Sequence, residues 1–194
     1  MKLVVGLSGQ KGAGKTECHK ILVDTIGSRF SISRHGTSDL LKETLNSWNL
    51  PVTRANLQSL PIVMGDAFGN DSLMNAIKRR ITEDSADIII VDALRRLEAD
   101  VSLIRSFPNN LIVYIEASPV TRWRRLSENS EKEGEKGISY LQFQKEDQAP
   151  IEKEIILIGD MADVLIENGT SYDIFQSKIE KSVLPLIERS VNSD

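Results

Sequence analysis

The sequence has little of what marks a secreted or membrane protein. Its 194 residues include a single cysteine, Cys18, so no disulfide can form within the chain. No apolar run reaches the roughly 18 residues that a membrane-spanning helix needs. The first apolar run begins at Leu3, so we expect no signal peptide. We therefore expect a cytoplasmic protein without a membrane partner.

The chain also lacks the residues for a zinc cluster and the positive charge of a nucleic-acid-binding protein. It has two histidines besides its one cysteine, and its 24 Lys and Arg against 28 Asp and Glu give a net charge of −4. Binding to nucleic acid ordinarily requires a basic face, so we expect no such partner, and a kinase acting on nucleic-acid ends is disfavoured. The length and the 40% hydrophobic content fit one domain over residues 1–194.

The strongest motif in the sequence follows the first apolar run. Residues 3–7 read as a buried strand, and residues 9–16 (GQKGAGKT) then match G-x-x-x-x-G-K-[ST] at every fixed position. Residues 17–26 read as a helix, with Gly27 at its stop position. An ordinary glycine-rich turn is the alternative, but it explains neither the fixed positions nor the strand and helix on either side. The motif therefore predicts a phosphate-binding loop.

A loop of this kind binds a nucleoside triphosphate through converging backbone N–H groups and through the positive end of a helix dipole. We expect Lys15 to reach the β- and γ-phosphates and the Thr16 hydroxyl to ligate Mg²⁺. ATP and Mg²⁺ are thus the expected cofactors. The predicted nucleotide-binding residues are Gly9, Gly12, Ala13, Gly14, Lys15 and Thr16.

Further apolar runs recur along the chain at intervals that helices fill. Continuous runs are typical of parallel strands covered on both faces, so we predict a three-layer α/β domain around a five-stranded parallel sheet. The predicted strands are residues 3–7, 30–33, 88–91, 111–115 and 164–166. The predicted helices are residues 16–26, 38–48, 53–64, 71–84, 96–106, 119–128, 139–158 and 171–190.

Two segments interrupt this regular pattern. Residues 36–75 carry two predicted helices between the second and third strands, and we interpret them as a helical acceptor-binding insertion. Residues 128–138 are almost all charged or small, which favours either a solvated loop or a short lid over the site. We predict a lid, because the segment follows an arginine-rich helix.

Several charged residues are candidates for the chemistry of phosphoryl transfer. Asp92 follows a buried-strand pattern and is a predicted Mg²⁺ ligand, with helix capping as the alternative. Arg95, near the same end of the sheet, is predicted to bind the acceptor, with a surface salt bridge as its alternative. Asp39 is predicted to orient or deprotonate the acceptor hydroxyl, although helix N-capping competes with that role. Arg122 and Arg125 share a helix face and are predicted to stabilise the transferring phosphoryl group.

Taken together, these elements resemble P-loop kinases, the group that includes dephospho-CoA kinase and the nucleoside monophosphate kinases. The resemblance is greatest to the adenylate-kinase-related, dephospho-CoA-kinase-like proteins of archaea. It rests on residues 38–42 (SDLLK), 51–57 (PVTRANL), 65–69 (GDAFG), 92–95 (DALR), 117–126 (ASPVTRWRRL) and 162–170 (ADVLIENGT). It implies a nucleoside-monophosphate-kinase-like fold and an ATP-dependent phosphotransferase. The implied acceptor is a small nucleotide-like molecule of the nucleoside monophosphate or dephospho-CoA type.

The chain departs from that group after the predicted lid. Members often carry F-x-x-R-D-x-R-E there, whereas residues 143–149 (FQKEDQA) lack both arginines, and the D-x-P-L-L of authentic dephospho-CoA kinases is absent. A second function therefore stays open, an ATP-binding or ATP-hydrolysing regulator of the same fold without a small-molecule acceptor. A GTPase is disfavoured, because the sequence has no [NT]-K-x-D motif for reading guanine. The sequence is compatible with either a monomer or a homo-oligomer.

Overall fold

A parallel sheet lies at the centre of the computed structural model, which describes residues 2–69, 71–129, 136–169 and 171–192. Within these residues the strands are β1 (Leu3–Ser8), β2 (Ile32–Gly36), β3 (Ile88–Leu94), β4 (Asn110–Glu116) and β5 (Val164–Glu167). Their order across the sheet is β2-β3-β1-β4-β5, and every neighbouring pair runs parallel. The first strand is therefore central, so the loop that follows it lies at the middle of the sheet's carboxyl edge.

Helices fill the connections between the strands. They are α1 (Lys15–Ile26), α2 (Thr37–Ser47), α3 (Arg54–Phe68), α4 (Ser72–Glu83), α5 (Ser102–Arg105), α6 (Pro119–Asn129), α7 (Tyr140–Asp147), α8 (Pro150–Asp160), α9 (Tyr172–Ser182) and α10 (Leu184–Asn192). A π-helical turn at Leu97–Val101 leads into α5. None of the helices in the described stretches combines the length and apolar character that crossing a membrane demands.

Both faces of the three central strands, β3, β1 and β4, are buried, which explains why these strands are apolar at successive positions. On one face, Val5 of the central strand and Ile90 of β3 pack with side chains of α1, α9 and α10. On the other face, Val4 and Ile89 pack with side chains of α4 and α5. The structure therefore confirms the predicted three-layer α/β fold around a parallel sheet.

The second strand lies further along the chain than its predicted position. It covers Ile32–Gly36 rather than residues 30–33. It stands at the edge of the described sheet, where it pairs with β3 and places Gly36 opposite Asp92. An edge strand is held by backbone hydrogen bonds on one side and faces solvent on the other, so it needs no apolar run. Hydrophobicity was therefore a poor guide to its position.

Two predicted helices are each divided in two, and a proline stands near each division. The predicted helix 139–158 is α7 and α8, because the residue before Pro150 is held in an extended conformation, with ψ of 146°. The predicted helix 171–190 is α9 and α10, which begins one residue before Pro185. Proline lacks an N–H and its ring clashes with the carbonyl group four residues earlier, so neither helix continues through it.

The two interrupting segments are only partly clarified by the structure. The predicted insertion, residues 36–75, contains α2, α3 and the start of α4. Of the predicted lid, residues 128–138, the stretch 130–135 lies outside the described residues. An acceptor-binding role for the first segment and a lid role for the second stay predictions.

Adjacent residues on α1 provide a test of the core. Leu22 is 1% exposed, whereas Val23 is 38% exposed. Because Leu22→Ala removes buried methyl groups and leaves a cavity, we expect it to lower the free energy of unfolding by about 2–5 kcal/mol. The control, Val23→Ala, should change that free energy by less than about 0.5 kcal/mol. Urea unfolding followed by circular dichroism measures both, and equal effects would contradict this assignment of the buried face.

Candidate functional site

The glycine-rich segment predicted to bind phosphate forms the connection between β1 and α1. Its backbone turns sharply, with φ angles of 141° at Gly9, 80° at Gly12 and 110° at Gly14. Gly14 is the N-cap residue of α1, and it has no side chain to bond the first N–H groups of the helix. These donors lie at the positive end of the helix dipole. The connection therefore has the form of an anion-binding loop.

Glycine is also required in this loop for a steric reason. A Cβ atom at Gly12 would lie 2.8 Å from the carbonyl oxygen of Arg122, and one at Gly14 would overlap the side-chain amide of Asn168. Arg122 is 1% exposed and Asn168 is 5% exposed. Because both neighbours are tightly packed, neither can move aside for a larger residue. The loop is thus enclosed between α6 and the segment that follows β5.

Lys15 begins α1 and folds back over the loop. Its Nζ atom donates to the carbonyl oxygens of Gly9 at 2.5 Å and Gln10 at 3.2 Å. The ammonium group therefore lies beside the glycine-rich turn. From this position it can reach phosphate groups that bind to the loop.

Arg122 is the largest fully buried side chain of the protein's described residues. Its two terminal nitrogens donate to the two carboxylate oxygens of Asp147 at 2.5 and 2.7 Å. It also donates to the carbonyl oxygens of Ala117 at 3.1 Å and Lys11 at 3.4 Å, and it lies 5.3 Å from the centre of the Phe143 ring. The planar guanidinium thereby holds the loop, the end of β4 and α7 in one arrangement.

The helix that follows the predicted lid makes two further contacts with the loop. The Lys11 ammonium lies 3.2 Å from the carboxylate of Glu146, and the Gln10 amide donates to Asp147 at 3.4 Å. Asp147 was not among the predicted site residues. The sequence did indicate this residue. Residues 143–149 lack both arginines of the F-x-x-R-D-x-R-E pattern but keep the aspartate that stands between them, at position 147.

Arg125, one turn further along α6, contacts the other end of the loop. Its Nη2 atom donates to the backbone and side-chain oxygens of Asn168 at 2.9 and 3.0 Å. Its Nη1 atom lies 3.4 and 3.3 Å from the carbonyl oxygens of Gly12 and Ala13, and the Asn168 amide donates to Ala13 at 2.8 Å. Partial burial lowers the pKa of Arg125, but an arginine stays charged at neutral pH.

A pocket of about 380 Å³ opens beside the start of α1. It is lined by Gly14, Glu17, Arg125, Asn168, Tyr172 and Phe175. A guanidinium and aromatic side chains together favour a flat, polar ring system, because both can stack on its face. The pocket shares Gly14 with the glycine-rich loop and therefore lies beside it.

Asp92, near the carboxyl end of β3, has one oxygen engaged and one oxygen without a partner. Its Oδ2 atom accepts a hydrogen bond from Arg34 of β2. Its Oδ1 atom is buried and has no hydrogen-bond partner among the described residues. The Asp92 carboxylate also lies close enough to α1 to affect Cys18. Burial raises the pKa of the Cys18 thiol to about 12, and the negative charge of Asp92 contributes to this increase. An unpaired buried oxygen of this kind suits a cation or an ordered water.

The described residues contain no group of three or more His, Cys, Asp and Glu side chains that could enclose a metal ion. Mg²⁺ bound with a nucleotide does not need such a cage, because phosphate oxygens and waters supply most of its ligands. The unpaired oxygen of Asp92 and the hydroxyl of Thr16, in the first turn of α1, fit that requirement.

The two residues predicted to act on the acceptor lie at the same edge of the sheet. Asp39 is in the first turn of α2, with its carboxylate 3.8 Å from the Lys42 ammonium, and the helix is capped by Gly36 rather than by Asp39. The Arg95 side chain is exposed and forms no ion pair with another described residue. No described contact joins either of them to the loop. The roles assigned to the site residues from the sequence, including those of Lys15, Arg122 and Arg125, stay predictions.

Comparison with solved structures defines the class of fold. The chain is similar to a shikimate kinase from Bacteroides thetaiotaomicron, at 16% identity over 97% of this chain and 94% of that one, with a TM-score of 0.61. It is also similar to a shikimate kinase from Aquifex aeolicus, at 13% identity over 98% and 99% of the two chains, with a TM-score of 0.54. Identities this low show the fold alone. The protein has a P-loop kinase-like fold.

Comparison of sequences gives relatives of low identity and shows no family. The chain is 26% identical over 133 residues to a UPF0200 protein of Methanocaldococcus jannaschii, which is 68% of this chain and 64% of that protein. It is 28% identical over 124 residues to a UPF0200 protein of Methanoculleus marisnigri, which is 63% of this chain and 64% of that protein. This chain therefore spans 64% of the length of each relative. No protein-family model matches the sequence.

Neighbouring residues of α7 test whether the buried ion pair holds the site together. Asp147→Ala leaves the buried Arg122 without a counter-charge, so we expect it to lower the free energy of unfolding by about 3–5 kcal/mol. Glu146→Ala removes a carboxylate that is 41% exposed in its pair with Lys11. This control should cost less than about 1 kcal/mol. Denaturant unfolding measures both changes, and a small effect of Asp147→Ala would show that the pair is dispensable.

Proposed function

We propose that this protein is an ATP- and Mg²⁺-dependent phosphotransferase that moves the γ-phosphate of ATP to a small nucleotide-like acceptor. One observation carries the proposal. A complete G-x-x-x-x-G-K-T loop lies between the central strand and α1, inside a P-loop kinase-like fold. Small-molecule kinases use this arrangement to bind the triphosphate and to position its terminal phosphate. We further propose that it acts in the cytoplasm, without nucleic-acid or membrane partners.

In the proposed complex, the triphosphate binds to the backbone N–H groups of residues 9–16 and to the ammonium of Lys15. The base of the nucleotide occupies the pocket beside Gly14, where the guanidinium of Arg125 and the ring of Tyr172 can stack against it. Support for this placement comes from the continuity of the pocket with the loop. The hydrogen bonds between Arg125 and Asn168 hold the guanidinium in place before the nucleotide binds.

The proposed metal ligands are Asp92 and Thr16. Mg²⁺ would supply positive charge to the β- and γ-phosphates while the phosphoryl group is transferred. The unpaired oxygen of Asp92 supports this assignment. Both residues stand at the carboxyl edge of the sheet, where open α/β folds bind their ligands.

We propose Asp39 as the group that orients or deprotonates the acceptor hydroxyl and Arg95 as a ligand of the acceptor. Their exposure supports the proposal, because neither side chain is committed to a buried partner. Arg122 contributes by a different route. Its guanidinium is occupied by Asp147 and by the carbonyl group of Lys11, so we assign it the positioning of the loop.

A regulator that binds or hydrolyses ATP without a small-molecule acceptor is the second candidate. It is favoured by the two positions after the predicted lid that are arginine in similar kinases. Here they are Glu146, which pairs with Lys11 of the loop, and Ala149. The transferring phosphoryl group would then lack two positive charges that those kinases supply.

Nucleotide binding should depend on Lys15. Lys15→Ala removes a charge-assisted contact with the phosphates, so we expect ATP binding to weaken by about 2–3 kcal/mol. Lys20→Ala is the matched control, because Lys20 lies on the same helix and its side chain is 65% exposed. Titration calorimetry with a non-hydrolysable ATP analogue measures both. Equal affinity in Lys15→Ala and the parent would remove the basis of the proposal.

Phosphoryl transfer should require both an acceptor and Asp39. Radiolabelled ATP is incubated with nucleoside monophosphates, dephospho-CoA and, because of the structural similarity, shikimate. We expect a labelled organic product with one class of acceptor, and a loss of about 10²-fold or more in its formation with Asp39→Asn.

The control for this experiment is Asp24→Asn, which changes an exposed carboxylate of α1 outside the predicted insertion. It should leave transfer unchanged. If every acceptor yields only inorganic phosphate at an unaltered rate, the regulator is the better description of this protein.

A further inference from the structure

The register of the sheet directs Arg34 toward the carboxylate proposed to hold Mg²⁺. Arg34 is paired with Ile90, and Asp92 lies two residues further along β3, so both side chains project from the same face. That face is covered by α1, because Ile90 and Cys18 belong to the same buried cluster. The ion pair between Arg34 and Asp92 is therefore built into the strand pairing.

The two partners differ in how easily they can move. The Asp92 side chain is 13% exposed, whereas the Arg34 side chain is 42% exposed. Asp92 has a short side chain on a strand that is paired on both sides. Arg34 has a long, flexible side chain on the edge strand β2 and reaches solvent. Arg34 is thus the partner that can leave.

The bond to Arg34 leaves the carboxylate half satisfied. Arg34 bonds to Oδ2, while Oδ1 is buried with no partner in the described part of the chain. A divalent cation at Oδ1 would stand within a few ångströms of the guanidinium, and the repulsion between the two positive charges is strong where water is scarce. Mg²⁺ and Arg34 are therefore poorly compatible on one carboxylate.

We infer that Arg34 is an internal counter-ion of Asp92 that competes with Mg²⁺ and is displaced when the metal binds with the nucleotide. The inference rests on the proposed function, because it concerns the proposed metal ligand. Displacement frees a guanidinium at the end of β2, which leads directly into α2 and Asp39. Metal binding is thereby coupled to the charge presented on the proposed acceptor side.

The test measures metal binding rather than activity. Mn²⁺ replaces Mg²⁺, because the free ion is quantified by electron paramagnetic resonance. ADP is present at saturation, because it has no γ-phosphate to transfer. Arg34→Gln removes the competing charge, so we expect Mn²⁺ to bind about three- to tenfold more tightly. Arg34→Lys keeps the charge but replaces the guanidinium with a more strongly hydrated ammonium, so it should give an intermediate affinity.

The matched control is Lys20→Gln, which removes one positive charge from α1 where the ammonium pairs with Glu17 at 3.9 Å. It should leave the affinity for Mn²⁺ within about twofold of the parent, because exposed charges are well screened. Equal tightening in Lys20→Gln and Arg34→Gln would overturn the inference, since the cause would then be overall charge.

An unchanged or weakened affinity in Arg34→Gln would also overturn the inference, since Arg34 would then support the metal-binding carboxylate rather than compete for it. The Arg34→Lys variant decides the question if Arg34→Gln fails to fold.

Binding of ADP to the parent without metal is measured first. A parent that binds no ADP contradicts the proposed function itself, whereas normal ADP binding with an unaltered response to Mn²⁺ contradicts only the role of Arg34.

Discussion

The buried guanidinium of Arg122 is the interaction on which the arrangement of the site depends. It joins the phosphate-binding loop through Lys11, the end of β4 through Ala117, and α7 through Asp147. A planar group whose donors are satisfied in buried surroundings tolerates little variation in the position of its partners. The shape of the loop is therefore maintained by packing around it as well as by its glycines.

Three charged groups of this site already have partners from the same chain. The ammonium of Lys15 bonds to loop carbonyls, Asp92 bonds to Arg34, and Arg122 bonds to Asp147. Uncompensated charge in a partly buried place is costly, so these pairs stabilise the site that we propose for a highly charged ligand. In the proposed complex, a nucleotide and its metal must offer Lys15 and Asp92 more than these internal partners do.

The environment of α7 distinguishes this chain from the kinases that it resembles. The aspartate of their F-x-x-R-D-x-R-E pattern is retained as Asp147, and the structure explains why, because it is the counter-ion of Arg122. The first arginine is replaced by Glu146, whose carboxylate pairs with Lys11 and makes this side of the loop nearly neutral. In the reaction that we propose, stabilisation of the transferring charge then falls mainly on Lys15 and Mg²⁺.

The sequence by itself determined the phosphate-binding loop, the α/β class and the position of the buried strands. These depend on local patterns, namely glycine spacing and continuous apolar runs, which can be read from a single sequence. Only the tertiary structure decided where edge strand β2 lies, because backbone pairing with β3 defines it. The same holds for the partners of Arg122 and Asp92. These ion pairs join residues 25 and 58 positions apart, and no pattern within a single sequence marks a contact at such a separation.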